Sequence, residues 1–183
     1  MHDQPKYEPL EASEFFENGA ASRPLVEGTV ARGQLREDAA FYTGQAFGVA
    51  VVQNPLPIDA ALLDRGQERY EIFCTPCHDR AGTGNGLVAQ RGYRPPPSLH
   101  IDRMHGVADG QLFHVITNGF GAMPDYRAQI PARDRWAIVA YVRALQLSQR
   151  ATLNEVPEAE RSKIRELGAA PSAPGVKAGT THD

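Results

Sequence analysis

The sequence predicts an all-α fold, with a long extended N-terminal arm and a flexible C-terminal tail. Three observations predict it. Three helical runs carry their own start or stop signals, no β-hairpin pattern appears anywhere, and the glycine- and proline-rich stretches fall between those runs or at the ends. At 183 residues the chain accommodates one domain of ordinary size with tails, or two small ones. The predicted organisation is an arm over residues 1–57, a helical domain over 58–150 and a tail over 151–183.

In the arm, Pro5, Pro9, Pro24, Pro55 and Pro57 alternate with Gly19, Gly28, Gly33, Gly44 and Gly48. Its apolar residues, among them Phe15, Phe16, Leu25, Val26, Phe41, Tyr42 and Phe47, follow neither a helical nor a strand period. Pure disorder usually holds fewer aromatics, so the arm reads as a segment lying on its own domain or on a partner. The alternative is a floppy leader with scattered aromatics.

The first helix is expected near 60–74, capped by Asp59. The second, near 110–118, lies in "DGQLFHVITNG", with Asp109 as its cap, Leu112, Val115 and Ile116 on one face and Gly119 as its stop. The third, near 132–148, lies in "PARDRWAIVAYVRALQLSQ". Pro131 suits its first turn, and Ile138, Tyr141, Val142 and Leu145 fit i, i+3, i+4, i+7. Between the first two helices runs "RAGTGNGLVAQRGYRPPPSLHIDRMHG", and a loop of this length in a compact domain is usually functional. Residues 157–167 suit a short charged helix, and the small, polar ending "GAAPSAPGVKAGTTHD" reads as disordered.

The formal charge of -3, with no basic block, excludes nucleic-acid binding as a function class. No stretch approaches the roughly 18 apolar residues of a membrane helix. Phe47–Val52 and Trp136–Val142 are the longest apolar-rich segments.

Both cysteines of the chain sit in "CTPCH", Cys74 to His78. Three chemistries compete for this motif. A redox dithiol of the thioredoxin type begins a helix after a strand, whereas this pair ends a helical run. A structural zinc site wants four ligands; His100 and His105 complete a formal Cys2His2 set but leave His78 idle. Covalent attachment of one haem c uses all three residues. Each thiol forms a thioether with one vinyl group, the two-residue gap lets both sulfurs reach adjacent pyrroles, and His78 falls beneath the iron as proximal ligand. The haem reading is the one adopted.

A low-spin electron-transfer haem needs a sixth ligand. Of the three methionines, Met1 is in the arm and Met104 lies in the glycine-proline loop. Met123 lies in "NGFGAMPDY" between two helices and is the choice, because Gly119 and Gly121 let backbone approach a macrocycle and Pro124 stiffens the loop. Met104 is the runner-up; His100, His105 and His114 are further candidates, with His114 expected at the surface or rim. A thioether ligand favours Fe(II), raises the reduction potential and closes the second axial position, which argues for electron transfer rather than substrate chemistry at the iron. A haem enzyme or sensor with a displaceable Met123 is the rival from another class.

From about Asp59 to Gln149, half of the chain, the residues resemble class I cytochromes c. Gly66 and Tyr70 stand eight and four residues before Cys74, and Ile138 and Tyr141 stand in the last helix, as in that family. The glycine lets two helices cross closely and the aromatics fill the crossing. The resemblance implies a class I cytochrome c fold and a proline carbonyl that accepts the Nδ1 proton of His78, for which Pro95, Pro96 and Pro97 are the candidates. Arg91, Tyr93 and Arg94, just before them, either reach a haem propionate or are solvated loop residues.

A narrower resemblance covers more of the chain. "MHDQPKYEPLE", "EGTVARG", "RGYRPPPSL", "DGQLFHVITNGFGAMPDY" and "DRWAIVAYVRALQ" together are similar to the mono-haem cytochrome c subunit of bacterial alternative complex III, a membrane quinol oxidoreductase. That likeness implies electrons arriving from a multi-haem cytochrome subunit and leaving toward a terminal oxidase or a soluble carrier, with the arm ordered along neighbouring subunits. It implies a place on the periplasmic side of the bacterial inner membrane, through the complex or through a lipid anchor outside this sequence. The opening "MHDQPKYEPL" has neither a basic n-region nor an apolar h-region, so export predicts a leader that this numbering does not contain.

Overall fold

A computed structural model describes residues 4–168. Two helices cross at its centre, α2 (Ala60–Phe73) and α7 (Ala132–Ser148), which the sequence predicts almost to the residue. α2 starts where Asp59 accepts the Leu62 N–H at 2.7 Å. The crossing depends on Gly66, where an added Cβ would stand 2.1 Å from the Ala137 carbonyl oxygen and 2.9 Å from Tyr141 Cβ. Tyr70 and Tyr141 meet beside it with centroids 5.4 Å apart. Arg65 grips Asp134 with two parallel bonds of 3.0 and 2.7 Å, tying the two helices at their rim.

Helix α6 (Asp109–Asn118) closes the core, its Phe113 stacked on Trp136 at 4.4 Å. Tyr70, Phe113, Ile130, Trp136, Ile138 and Val139 are all fully buried. Burying such side chains stabilises the fold by about 1.5–3 kcal/mol each. Gly119, with φ 76, ends α6 as expected. Asp109 does not cap it. The capping position is Ala108, and Asp109, buried, accepts the Arg143 Nε–H at 2.7 Å and the Asn54 N–H at 2.9 Å. A carboxylate with a half-buried arginine opposite takes that partner in place of helix amides.

The chain divides into two compact units, Met1–Glu37 and Asp38–Asp183. In the first, the backbone folds back between Glu11 and Ala21, with an antiparallel bridge between Ala12 and Ala20. Arg23 lies over the Phe16 ring at 3.9 Å. Tyr7, Leu10, Phe15, Leu25, Val26, Val30 and Leu35 are exposed.

Residues 38–57, read from the sequence as arm, fold within the second unit. They form α1 (Ala39–Thr43), then β1 (Gln45–Ala46) and β2 (Val49–Ala50), paired antiparallel as Gln45↔Ala50 and Ala46↔Val49. This hairpin contradicts the expectation that none exists. Its loop is Phe47-Gly48, both with positive φ (51 and 79), as a tight two-residue turn requires. The segment is held by the Trp136 indole N–H on the Phe41 carbonyl (2.7 Å), Asn54 Nδ2 on the Trp136 carbonyl (2.9 Å) and the Gly110 N–H on the Val51 carbonyl (2.9 Å).

After α2 come α3 (Thr75–His78), α4 (Leu87–Gln90) and α5 (Asp102–His105), each a single turn, the last two inside the long glycine-proline loop. Beyond α7 follow a 3₁₀ turn at Leu153–Glu155 and α8 (Glu158–Gly168). The ending predicted to be disordered begins at Gly168, which closes α8; its remainder, residues 169–183, lies outside the described residues. Among the described residues no helix is long and apolar enough to cross a membrane.

Candidate functional site

The attachment motif grows directly out of α2. Cys74 still donates its N–H to the Tyr70 carbonyl at 2.9 Å, and Pro76 suits the first turn of α3. Within that turn Cys77 and His78 both return their N–H groups to the Cys74 carbonyl, at 3.2 and 2.8 Å. Cys74, Cys77 and His78 therefore occupy one rigid helical turn at the edge of the core. Both thiols are free and half-buried.

Burial, and secondarily Cys77, pushes the Cys74 thiol up to about 12. A dithiol enzyme needs a thiolate at neutral pH, so this cysteine is unsuited to that chemistry. Burial lowers the His78 pKa against the opposing charge of Asp79, leaving the neutral imidazole that a metal requires. Its Nδ1 is buried with no hydrogen-bond partner. Such an orphan costs about 1–3 kcal/mol. Two thiols and a neutral, unsatisfied imidazole on one turn fit covalent haem. Among the described residues no three His, Cys, Asp or Glu side chains gather to hold a metal ion, so the Cys2His2 set does not assemble.

Met123 sits in the turn between α6 and α7, where it and Phe120 exchange backbone hydrogen bonds of 3.0 Å. Gly119 is required by this turn, since an added Cβ would stand 2.6 Å from the Met123 carbonyl oxygen, whereas Gly121 has no protein atom within 4 Å of an added Cβ. The Met123 side chain is half-buried against the same core cluster as Phe73, Cys74 and Tyr126. Tyr126, which the sequence reading does not single out, links the two sides. Its ring meets Phe73 edge-on at 6.3 Å, and its hydroxyl pKa is raised by burial, then by Cys74 and Cys77. The Tyr126–Phe73 ring contact thus joins the segment that follows Met123 to the helix end that precedes Cys74.

Met104, in α5, also packs half-buried against this cluster. Its carbonyl is held by Arg143 Nη1 at 3.3 Å and Gln146 Nε2 at 3.4 Å. His100 Nε2 is bonded to the Ala81 carbonyl, and His114 pairs with the Asn118 amide at 3.1 Å. His105 keeps a buried, unpartnered Nε2. Arg91, Tyr93, Arg94, Pro95 and Pro97 are exposed. Pro96 is half-buried with its carbonyl against Gly84, where an added Cβ would come within 2.2 Å. None of the three proline carbonyls bonds His78 Nδ1.

Asp79 is a second residue absent from the sequence reading. Its backbone has φ 58 and ψ 175, a region nearly reserved for glycine, which costs a non-glycine residue about 1–3 kcal/mol. Its carboxylate accepts the N–H groups of Ala81 (2.8 Å), Asn85 (2.9 Å) and Thr83 (3.2 Å) and the Thr83 hydroxyl. Its carbonyl accepts the buried Tyr70 hydroxyl at 3.0 Å. The signal was present as an aspartate heading the alternation Gly82, Gly84, Gly86.

Residues 61–142 match the family model described as cytochrome C oxidase, cbb3-type, subunit III. They form a cytochrome c domain. The domain contains Cys74, Cys77, His78, Met104 and Met123, and its helices have the arrangement of the class I fold. A cytochrome c domain implies covalently bound haem c and haem-based electron transfer. Among solved structures, a chain of the Kuenenia stuttgartiensis reducing HAO-like protein complex is similar at 22% identity and a TM-score of 0.45, over 58% of this chain and 54% of that chain.

Proposed function

We propose that this chain passes single electrons through one haem c held by Cys74 and Cys77, with His78 and Met123 as axial ligands, inside a membrane quinol-oxidising respiratory complex. The observation that carries the reading is the joining of the Cys74–His78 turn to the Met123 turn through Phe73 and Tyr126. When bound, the haem supplies a reversible one-electron couple. The chain's residues bind and orient it. The α3 turn fixes both thiols and the imidazole on one side, and the Phe120–Met123 bridge fixes the thioether's backbone.

The quinol-oxidising context rests on the five quoted segments that resemble the mono-haem subunit of alternative complex III. The exposed apolar residues of Met1–Glu37 suit burial against neighbouring subunits, a multi-haem cytochrome among them. In this reading the chain works on the periplasmic side of the membrane. The match to a cbb3-type oxidase subunit favours a second reading, in which the same domain serves an oxidase. Co-purification separates the two: quinol-oxidising partners support the first and oxidase subunits the second.

The ligand set is tested by spectra of the purified holo-protein and of Met123→Ala. The oxidised wild type should show the weak near-infrared sulfur-to-iron band, and its reduced spectrum should ignore carbon monoxide. The substitution should abolish the band and admit carbon monoxide. A band surviving in Met123→Ala would move the assignment to Met104.

A further inference from the structure

We infer that Asp79 is a positioning residue for His78, and that it acts through its carboxylate. The inference rests on the proposed role of His78 as a ligand. The backbone at this position, φ 58 and ψ 175, suits glycine, and three glycines follow at Gly82, Gly84 and Gly86. An aspartate there must contribute something glycine cannot. It contributes acceptors: the N–H groups of Ala81, Thr83 and Asn85 and the Thr83 hydroxyl all converge on its two oxygens.

These bonds fold residues 79–86 back across the attachment turn. The returning loop places the Gly84 N–H on the His78 carbonyl and the Gly86 N–H on the Cys77 carbonyl, each at 3.1 Å. The fit is close, because an added Cβ on Gly86 would come within 2.3 Å of the Pro76 carbonyl oxygen. On its other side Asp79 is tied to the core, since its own carbonyl accepts the Tyr70 hydroxyl. The backbone of His78 is therefore clamped between a core helix and a loop whose shape the Asp79 carboxylate sets. A single-bond tether to that backbone orients the imidazole, so loosening the clamp widens the range of ring orientations.

The test compares matured wild type, Asp79→Gly and Asp79→Asn. Intact mass reports attachment of haem. Amide hydrogen exchange reports the loop. Electron paramagnetic resonance of the oxidised protein reports the orientation of the axial imidazole. In Asp79→Gly, which relieves the backbone but removes the acceptors, exchange at Thr83 and Asn85 should accelerate about tenfold or more, the loss of a charge-assisted hydrogen bond. The resonance should shift or broaden. Asp79→Asn keeps one acceptor oxygen and should fall between the two.

An Asp79→Gly protein with an unshifted resonance overturns the inference, whether or not its thermal stability changes, because Asp79 would then be only a loop brace or a filler of a glycine position. If Asp79→Gly does not mature, Asp79→Asn decides by the same reading, a shifted resonance supporting the inference and an unshifted one overturning it. Absence of haem from the wild type would instead overturn the proposed function, and this inference with it.

Discussion

Arg143 shows what single residues conceal from a linear reading. In the sequence it is one charge on an amphipathic helix. In the structure its Nε donates to Asp109, its Nη1 reaches Gln146 Oε1 at 2.8 Å and the carbonyls of Met104 and His105, and its Nη2 reaches the Val107 carbonyl. One guanidinium thus fastens the end of the long loop to α7. Asp109 has the residue type of a helix cap, and nothing local reveals that its partner lies 34 residues ahead. Replacing Arg143 by Met keeps the aliphatic stem but strands a buried carboxylate. The expected loss is about 2–4 kcal/mol in denaturant unfolding of the holo-protein. Pairing it with Asp109→Leu should recover part of that loss. A single-mutant cost below about 1 kcal/mol, the level of an exposed pair, would deny the clamp its role. By contrast Cys74, Cys77 and His78 were legible as a unit, because their spacing places them on a single helical turn. The expected bond from His78 Nδ1 to a carbonyl of Pro95, Pro96 or Pro97 does not form in the structure, where Nδ1 has no hydrogen-bond partner.

Among elements, those with strong local signals were readable. α2, α6 and α7 have periodic apolar faces and recognisable ends, and the Gly66 crossing follows from one glycine at one spacing. The elements of residues 38–57 were not. Their strands are two residues each, and their turn is Phe-Gly rather than the Asn-Gly that announces a hairpin. What holds them is hydrogen bonding between side chains and backbone groups that lie 55 to 95 positions apart. The two boundaries make different predictions. A holo-protein beginning at Ile58 loses the acceptor of the Trp136 indole and both Asn54 bonds. It should unfold at least roughly 10 °C below one beginning at Asp38, since about 1 kcal/mol corresponds to some 4–8 °C in a domain of this size. Equal unfolding temperatures would return residues 38–57 to the arm.

On the scale of the whole chain, one helical turn carries Cys74, Cys77 and His78, and Cys74 and Met123 pack against the same core cluster. The fold class was legible because three helices and one motif dominate the sequence. The meeting of the two turns through Phe73 and Tyr126 was not, since it arises only when α2, α6 and α7 pack. The proposed electron transfer requires a porphyrin joined covalently to Cys74 and Cys77. The most direct measurement is the intact mass of protein matured in a host that attaches haem c, taken in acidified solvent. Covalent attachment predicts the polypeptide plus one haem, with nothing extracted by the acid. A mass equal to the bare polypeptide would contradict it.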